Sequence, residues 1–201
     1  MSRFNNAAIE LAQQGWTVLT DLLPPETISA LSAETHQLWQ QQGFRAAGTG
    51  RLGGYAIRPN IRSDHIHWLD ERNLTEPQAI YWQTIEELRE ELNRELFLSL
   101  SSFESHYAVY PPGALYQKHL DRFNNADERA ISSTLYLNED WKEEYGGQLR
   151  LYLRDSYFDV FPSAGTCVLF RSDMFFHEVF PATQPRFSLT GWFRRRSTRP
   201  V

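Results

Sequence analysis

The chain reads as an α+β, mainly β protein, with helices gathered in its first hundred residues and packed on a β-structure made by the second. Three observations carry that reading. Apolar residues recur at helical spacing as far as Leu96. From Phe103 to Trp192 the pattern changes to short alternating or apolar runs separated by Pro, Gly, Asn and Asp. Aromatic residues reach 14%, as suits a β-core around an enclosed pocket. Helices first and strands afterwards argue against alternating βαβ units.

The elements follow in order. Asn6 to Gln14 predicts a short helix from Ala7, Ile9 and Leu11, stopped by Gly15, and Trp16-Thr17-Val18-Leu19 predicts a strand. Pro24 and Pro25 open a second helix, where a missing N–H costs nothing; Ile28, Leu31, Leu38 and Trp39 form its apolar face before Gly43 ends it. Between Phe44 and Pro59, Gly48, Gly50, Gly53 and Gly54 lie among Arg45, Arg51 and Arg58. Without a Gly-Lys-Ser/Thr ending or a preceding strand this is no phosphate loop. The stretch from Arg45 to Asp64 is expected to be a flap that closes over a substrate, a disordered connector being the alternative. Thr75 caps a third helix at Glu76 and Pro77, with Ile85, Leu88, Leu92 and Leu96 as a core stripe. Pro111-Pro112-Gly113, Asn124-Asn125, Gly146-Gly147 and Pro162-Ser163-Ala164-Gly165 punctuate the β-half.

The 201 residues fit one domain, with helical support over about 1–98 and the β-core over about 103–195. A net charge of −5 gives no global field for nucleic acid or an anionic membrane, so neither is expected as a partner. Arg194, Arg195, Arg196 and Arg199 read as a solvated tail. A lone cysteine, Cys167, allows no internal disulfide and sits in an apolar run as a small core residue. The N-terminus lacks a signal-peptide pattern and no apolar stretch reaches membrane length, so a soluble, reducing, cytoplasmic location is expected.

His119-Leu120-Asp121, with His177 and Arg186 downstream, is the most informative motif. On an extended strand alternate side chains share a face, so His119 and Asp121 point the same way and Leu120 the other. If His177 joins from a second strand, two imidazoles and one carboxylate make the facial triad with open positions that suits non-haem Fe(II) oxygenases. Arg186 opens a second alternating run, Arg186-Phe187-Ser188-Leu189-Thr190-Gly191-Trp192, which places Arg186, Ser188 and Thr190 on one face. A guanidinium fork matches a carboxylate two-to-two, and a neighbouring hydroxyl adds a third bond. An iron triad and a carboxylate receptor one strand away are what 2-oxoglutarate needs.

At these residues the chain resembles the Fe(II)/2-oxoglutarate-dependent oxygenases, and within them the prolyl 4-hydroxylases of the oxygen-sensing type. Arg62-Ser63-Asp64-His65-Ile66-His67-Trp68 resembles the Arg-Gly-Asp-x-Ile-x-Trp end of that family's substrate loop; Ala108-Val109-Tyr110-Pro111, Leu135-Tyr136-Leu137-Asn138, Gly146-Gly147-Gln148-Leu149-Arg150-Leu151 and His177-Glu178-Val179 match in order and spacing. The resemblance implies a double-stranded β-helix, or jelly roll. It implies His119, Asp121 and His177 as iron ligands, Arg186 as the partner of the distal carboxylate of 2-oxoglutarate, and Tyr136 as a second donor to it. Tyr110, Ser188, Thr190 and Trp192 would line the cosubstrate pocket, while Arg62, Asp64, Tyr116 and Arg129 would meet the substrate. Fe(II), 2-oxoglutarate and O2 would be required, with ascorbate as reductant. Ser63 and Ser188 stand where the family has Gly and Ala, and the Tyr110 to His119 segment is one residue short.

The implied reaction is C4 hydroxylation of a prolyl residue in a protein substrate, with release of succinate and CO2. A translation factor, such as an elongation factor, is one such substrate, and oxygen sensing one such role. A free amino acid or other small molecule is the alternative substrate. Two His and one Asp would also suit a zinc hydrolase, although Arg186 has no evident use there. A non-catalytic ligand sensor on the same fold is the third reading. His36 reads as a surface or boundary residue and His106 as a packed, hydrogen-bonded one. His65 and His67 belong with the substrate loop.

Overall fold

A computed structural model, which describes residues 3–48, 56–121 and 128–196, arranges the chain as two antiparallel sheets with three helices on one side. Strands are numbered in chain order. The larger sheet comprises β1 (Trp16–Leu19), β2 (Arg45–Ala46), β3 (His65–Trp68), β4 (Leu100–Tyr110), β6 (Arg129–Tyr136), β9 (Cys167–Arg171) and β11 (Arg186–Arg195), ordered β1-β9-β6-β11-β4-β3-β2. The smaller comprises β5 (Tyr116–His119), β7 (Leu149–Tyr152), β8 (Tyr157–Val160) and β10 (His177–Val179), ordered β5-β10-β7-β8. This is the expected jelly roll.

Alternation decides which side chains meet the site. On β4, Phe103, Tyr107 and Val109 pack against the helices, whereas Ala108 and Tyr110 join Leu149, Leu151, Val160 and Val179 of the smaller sheet. Strands buried on both faces read as near-continuous apolar runs, as Cys167–Arg171 does. The helices are α1 (Asn5–Gln13), α2 (Pro25–Gln40) and α3 (Glu76–Leu96). Gly15, at φ +83°, takes the left-handed turn that ends α1. Thr75 and Gln78 form a capping box at the start of α3. Leu31, Tyr81, Ile85, Leu88 and Leu92 are fully enclosed between helices and sheet, each burial stabilising by roughly 1.5–3 kcal/mol. Among the described residues no helix is long and apolar enough to cross a membrane.

Three expectations need correction. The first half of the chain supplies three strands as well as helices: His65–Trp68 pairs antiparallel with β4, from His65↔Val109 to Trp68↔His106, and Arg45–Ala46 pairs outside it. The Arg45–Asp64 segment is therefore pinned at both ends. Ala47 N–H donates to Asp64 O, Ser63 N–H to Leu115 O and Gln117 N–H to Ile61 O; Gly50, Arg51, Gly53 and Gly54 lie outside the described residues. Arg194 and Arg195 belong to β11 and not to a solvated tail; Arg194 pairs with Glu104 and Glu128. Asn124-Asn125 and Arg199 lie outside the described residues.

Candidate active site

His119 ends β5 and His177 opens β10, the neighbouring strand. They are direct register partners, which sets both imidazoles on one face with centroids 4.1 Å apart. Asp121 is not on that strand, contrary to expectation: β5 stops at His119, and Asp121 lies in a bend beyond it. Leaving the sheet lets its carboxylate reach both rings, with Oδ1 3.5 Å from His119 Nε2 and Oδ2 3.6 Å from His177 Nε2. All three donor atoms lie within 4.8 Å of one another. Two ligands about 2.1 Å from one ion at about 90–110° are about 3.0–3.5 Å apart, so the two His–Asp separations are close to those of ligands sharing one small cation. His119 Nδ1–H donates to Gln117 O at 2.7 Å and His177 Nδ1–H to Phe175 O at 3.1 Å. Each Nε2 lone pair is thereby left for a metal.

The electrostatics agree with this assignment. Burial pushes the His177 imidazole down to about 4, against the pull of Asp121, so the ring is neutral near pH 7. Burial works the other way on Asp121, but His177, His119 and Arg129 outweigh it and hold the carboxylate well below its ordinary range. Ser132 Oγ–H (2.6 Å) and Trp192 Nε1–H (2.9 Å) both donate to Asp121 Oδ2, and Ser132 is bonded in turn to Ser172 at 2.8 Å. Two donors on one oxygen favour the anion and fix its direction. These donors replace the strand as what positions Asp121.

Beside the triad a cavity runs between the sheets. β11 lays Arg186, Ser188, Thr190 and Trp192 along its inner face, in register with Tyr110, Ala108, His106 and Glu104 of β4. The Trp192 row touches Asp121 and the Arg186 row lies at the other end. Arg186 is 2% exposed; its Nη2–H donates to Tyr136 Oη at 3.4 Å, and its guanidinium carbon is 4.9 Å from the ring centres of Tyr110 and Tyr136. Its Nε has no partner, nor does the fully buried Ser188 Oγ. No carboxylate among the described residues pairs with Arg186. Gly147 makes room for it, since a Cβ there would lie 3.4 Å from Arg186 Cδ and 2.9 Å from Ala182 Cβ, at φ +73°. A buried cation without a counter-charge is costly, and an anionic group entering the cavity would offset that cost.

Tyr110, Thr190 and Trp192 are on the cavity wall as expected; Tyr136 and Ser188 are register partners that do not line it, and Tyr136 is reached through Arg186. Arg62, Asp64 and Tyr116 line it too. Arg62 and Asp64 are not two separate contacts, however: they form a bidentate pair (2.6 and 2.8 Å), with Asp64 fully buried. The Arg62 guanidinium lies over Tyr116 at 4.7 Å, and Tyr116 stacks on His119 at 3.5 Å. Arg129 is off the wall. Its Nε–H donates to Glu104 at 2.9 Å and its guanidinium covers the Trp192 ring at 3.5 Å, so it braces the indole that holds Asp121. His67 Nδ1–H donates to Gly43 O, and His65 packs on Trp39, away from the triad.

Two site residues escaped the sequence reading. Ser132 shares a face with Tyr136 at alternate positions on β6, and that spacing would have found it. His106 was taken as packed and hydrogen-bonded; it packs against Trp68 (4.8 Å) and Trp192 (5.5 Å), on the cavity wall, but neither ring nitrogen has a partner among the described residues. The bond it was expected to make is absent because its strand turns it toward the cavity, away from any protein acceptor.

Known proteins place this arrangement in context. The 2OG-Fe(II) oxygenase superfamily profile matches residues 105–194, which include the triad and Arg186. The crystal structure of a Pseudomonas putida prolyl-4-hydroxylase superimposes with a TM-score of 0.87 at 41% identity, over 96% of this chain and 98% of that one. A Trichoplax adhaerens prolyl hydroxylase, solved with a hypoxia inducible factor oxygen degradation domain peptide, gives 0.84 at 27% identity, over 93% and 86%. The hypoxia-inducible factor prolyl hydroxylase of Caenorhabditis elegans is 29% identical over 94% of this chain and 28% of its own length. Human Egl nine homolog 1 is 29% identical over 90% of this chain and 44% of its own. The chain thus spans less than half the length of these curated relatives.

Proposed function

The chain belongs to the 2OG-Fe(II) oxygenase superfamily, and on that premise we propose that it hydroxylates a prolyl residue of a protein, with His119, Asp121 and His177 holding ferrous iron and Arg186 seating 2-oxoglutarate. One observation carries the reading: Arg186 is an enclosed cation without a carboxylate partner among the described residues, in the same cavity as the triad. A dicarboxylate that chelates a metal at one end supplies the missing negative charge at the other. A hydrolytic zinc site has no use for that second feature.

Family members use Fe(II), 2-oxoglutarate and O2, and the bound set supplies oxidative chemistry in which the cosubstrate leaves as succinate and CO2 and one oxygen atom enters the substrate carbon. The chain's own residues position and exclude. Ser132 and Trp192 aim Asp121; Gln117 and Phe175 carbonyls hold the two imidazoles; Tyr136 orients the Arg186 fork. The apolar walls of Leu149, Phe170 and Val179 keep water from the cavity. Arg62 and Tyr116, beside His119, form the wall nearest an incoming substrate. A protein substrate is favoured over a free amino acid by the hydroxylase neighbour solved with a peptide. A translation factor segment is the first protein to test.

Anaerobic loading with Fe(II), followed by 2-oxoglutarate and air in cell lysate, tests the proposal. Mass spectrometry should find a proline that gains one oxygen, with matching succinate. Turnover of free proline without any protein product would refute the protein-substrate reading, and the absence of succinate under all conditions would refute the activity.

A further inference from the structure

The inner face of β4 carries a group that the proposed reaction has not used. His106 is 1% exposed, and both of its ring nitrogens are buried without a partner. An imidazole hidden from water with neither nitrogen bonded carries the full desolvation penalty of both polar atoms unless something else meets it. Buried unsatisfied groups of this kind are uncommon in folded proteins. Among the described residues no hydrogen-bonding group reaches either nitrogen of His106, yet the ring lies on the wall of the cavity that contains Arg186 and the triad.

Its position along that cavity is set by register. His106 is the direct partner of Thr190 on β11, and Thr190 in turn of Thr134 on β6, so the three side chains form one polar row across the inner face. Toward one end, the next row is Trp192 with Ser132, both bonded to Asp121. Toward the other, two rows on, is Arg186 with Tyr110. Alternate residues on a strand are about 6.6–6.8 Å apart. The His106 row therefore stands beside the metal-facing part of the cavity and away from its cationic end. Trp68 (4.8 Å) and Trp192 (5.5 Å) pack against the ring and lie 6.4 Å from each other, so the three rings form one cluster. A small ligand inside the cavity meets the imidazole.

Resting on the 2-oxoglutarate reading above, we propose that His106 donates a ring N–H to an oxygen of the keto-acid end of the bound cosubstrate, a third anchor after the metal and Arg186. The chemistry of the ring agrees. Burial, then Arg62 and Arg129, push His106 well below its ordinary range, so it is a neutral imidazole with one N–H to give and no charge of its own to be neutralised. The keto-acid end offers only acceptors. Ala108, the next inward residue on β4, cannot make the bond.

The test uses the whole protein loaded with Mn(II), which permits binding without turnover. Titration calorimetry of 2-oxoglutarate should show H106M weakened by about tenfold or more, the usual loss for a bond to a charged acceptor, while H106Q, which keeps an N–H donor, recovers most of the affinity. Mn(II) affinity should be unchanged in both. Equal cosubstrate affinity in wild type and H106M overturns the proposal. If H106M does not fold, the wild type still decides: with Zn(II) bound and histidine ring nitrogens labelled with 15N, adding 2-oxoglutarate should shift the His106 resonances, and no shift overturns the assignment. Wild-type protein that fails to bind 2-oxoglutarate at all sinks the earlier functional reading, a result distinct from unaltered binding in H106M.

Discussion

Replacing Arg186 with methionine separates a ligand receptor from a structural ion. In the metal-free protein this arginine makes a single 3.4 Å bond to Tyr136 and two face contacts at 4.9 Å. Those contacts are worth about 1–2 kcal/mol each, the bond being a long one and the face contacts desolvated. Against them stands the desolvation of a cation that is 2% exposed, which runs to several kcal/mol. Methionine fills much of the same volume without charge, so the metal-free variant should keep its stability within about 1 kcal/mol or gain a few, as apolar replacements of buried ions often do. Cosubstrate binding should respond very differently. Removing one partner of an enclosed charge pair costs about 3–5 kcal/mol, which is between about a hundredfold and a few thousandfold in Kd. Calorimetry with 2-oxoglutarate and Mn(II)-loaded protein reads the second quantity, and urea unfolding of the metal-free protein reads the first. A Kd within about threefold of wild type, or a metal-free variant destabilised by more than about 3 kcal/mol, would contradict the receptor argument, since either result would mean that Arg186 serves the fold.

Further outcomes follow from the neighbouring contacts. Trp192→Phe removes the indole N–H from Asp121 and should weaken metal binding about 10–100-fold, with cosubstrate affinity at saturating metal little changed; equal metal affinity by competition with a chelating dye refutes that link. Arg62→Ala leaves the fully buried Asp64 carboxylate unpaired and should cost about 3–5 kcal/mol in denaturant unfolding, whereas replacing both residues with leucine should cost far less; a single-variant loss below about 1 kcal/mol refutes it. The metal-free protein should lose stability on acidification. Unfolded histidine takes up a proton near 6.5, folded His177 only near 4, and folded His106 also well below 6.5, so the unfolded chain binds more protons across that window and stability falls as pH drops through it. The slope should approach about 1.4 kcal/mol per pH unit for each histidine, and a flat urea midpoint between pH 7 and 5 refutes it.

How far the site could be read in advance depended on whether its residues are linked by local geometry or by contacts across the fold. Arg186, Ser188 and Thr190 were assigned to one face because strand alternation is a property of neighbours, and the register with Tyr110, Ala108 and His106 agrees. The same rule reaches further than it was taken: from Tyr110 it runs back through Ala108 to His106, and from Tyr136 through Thr134 to Ser132, so both overlooked residues were within its range. What alternation cannot supply is a partner distant in sequence. Arg129 looks like a free cation until Glu104, on another strand, is beside it, and Arg194 looks like part of a basic tail until the same carboxylate is found to lie between the two arginines.

Asp121 shows the opposite failure. The rule was applied where the strand had already ended, and the carboxylate faces the two imidazoles because Ser132 and Trp192 hold it there, 11 and 71 residues away. The donor set was thus right in composition while its cause was tertiary. It follows that His-x-Asp spacing alone should not make a metal site in this fold. A variant that keeps all three ligands but loses both donors, Ser132→Ala with Trp192→Phe, should bind metal much more weakly than either single variant. Ordinary metal affinity in that double variant would return the credit to the local motif.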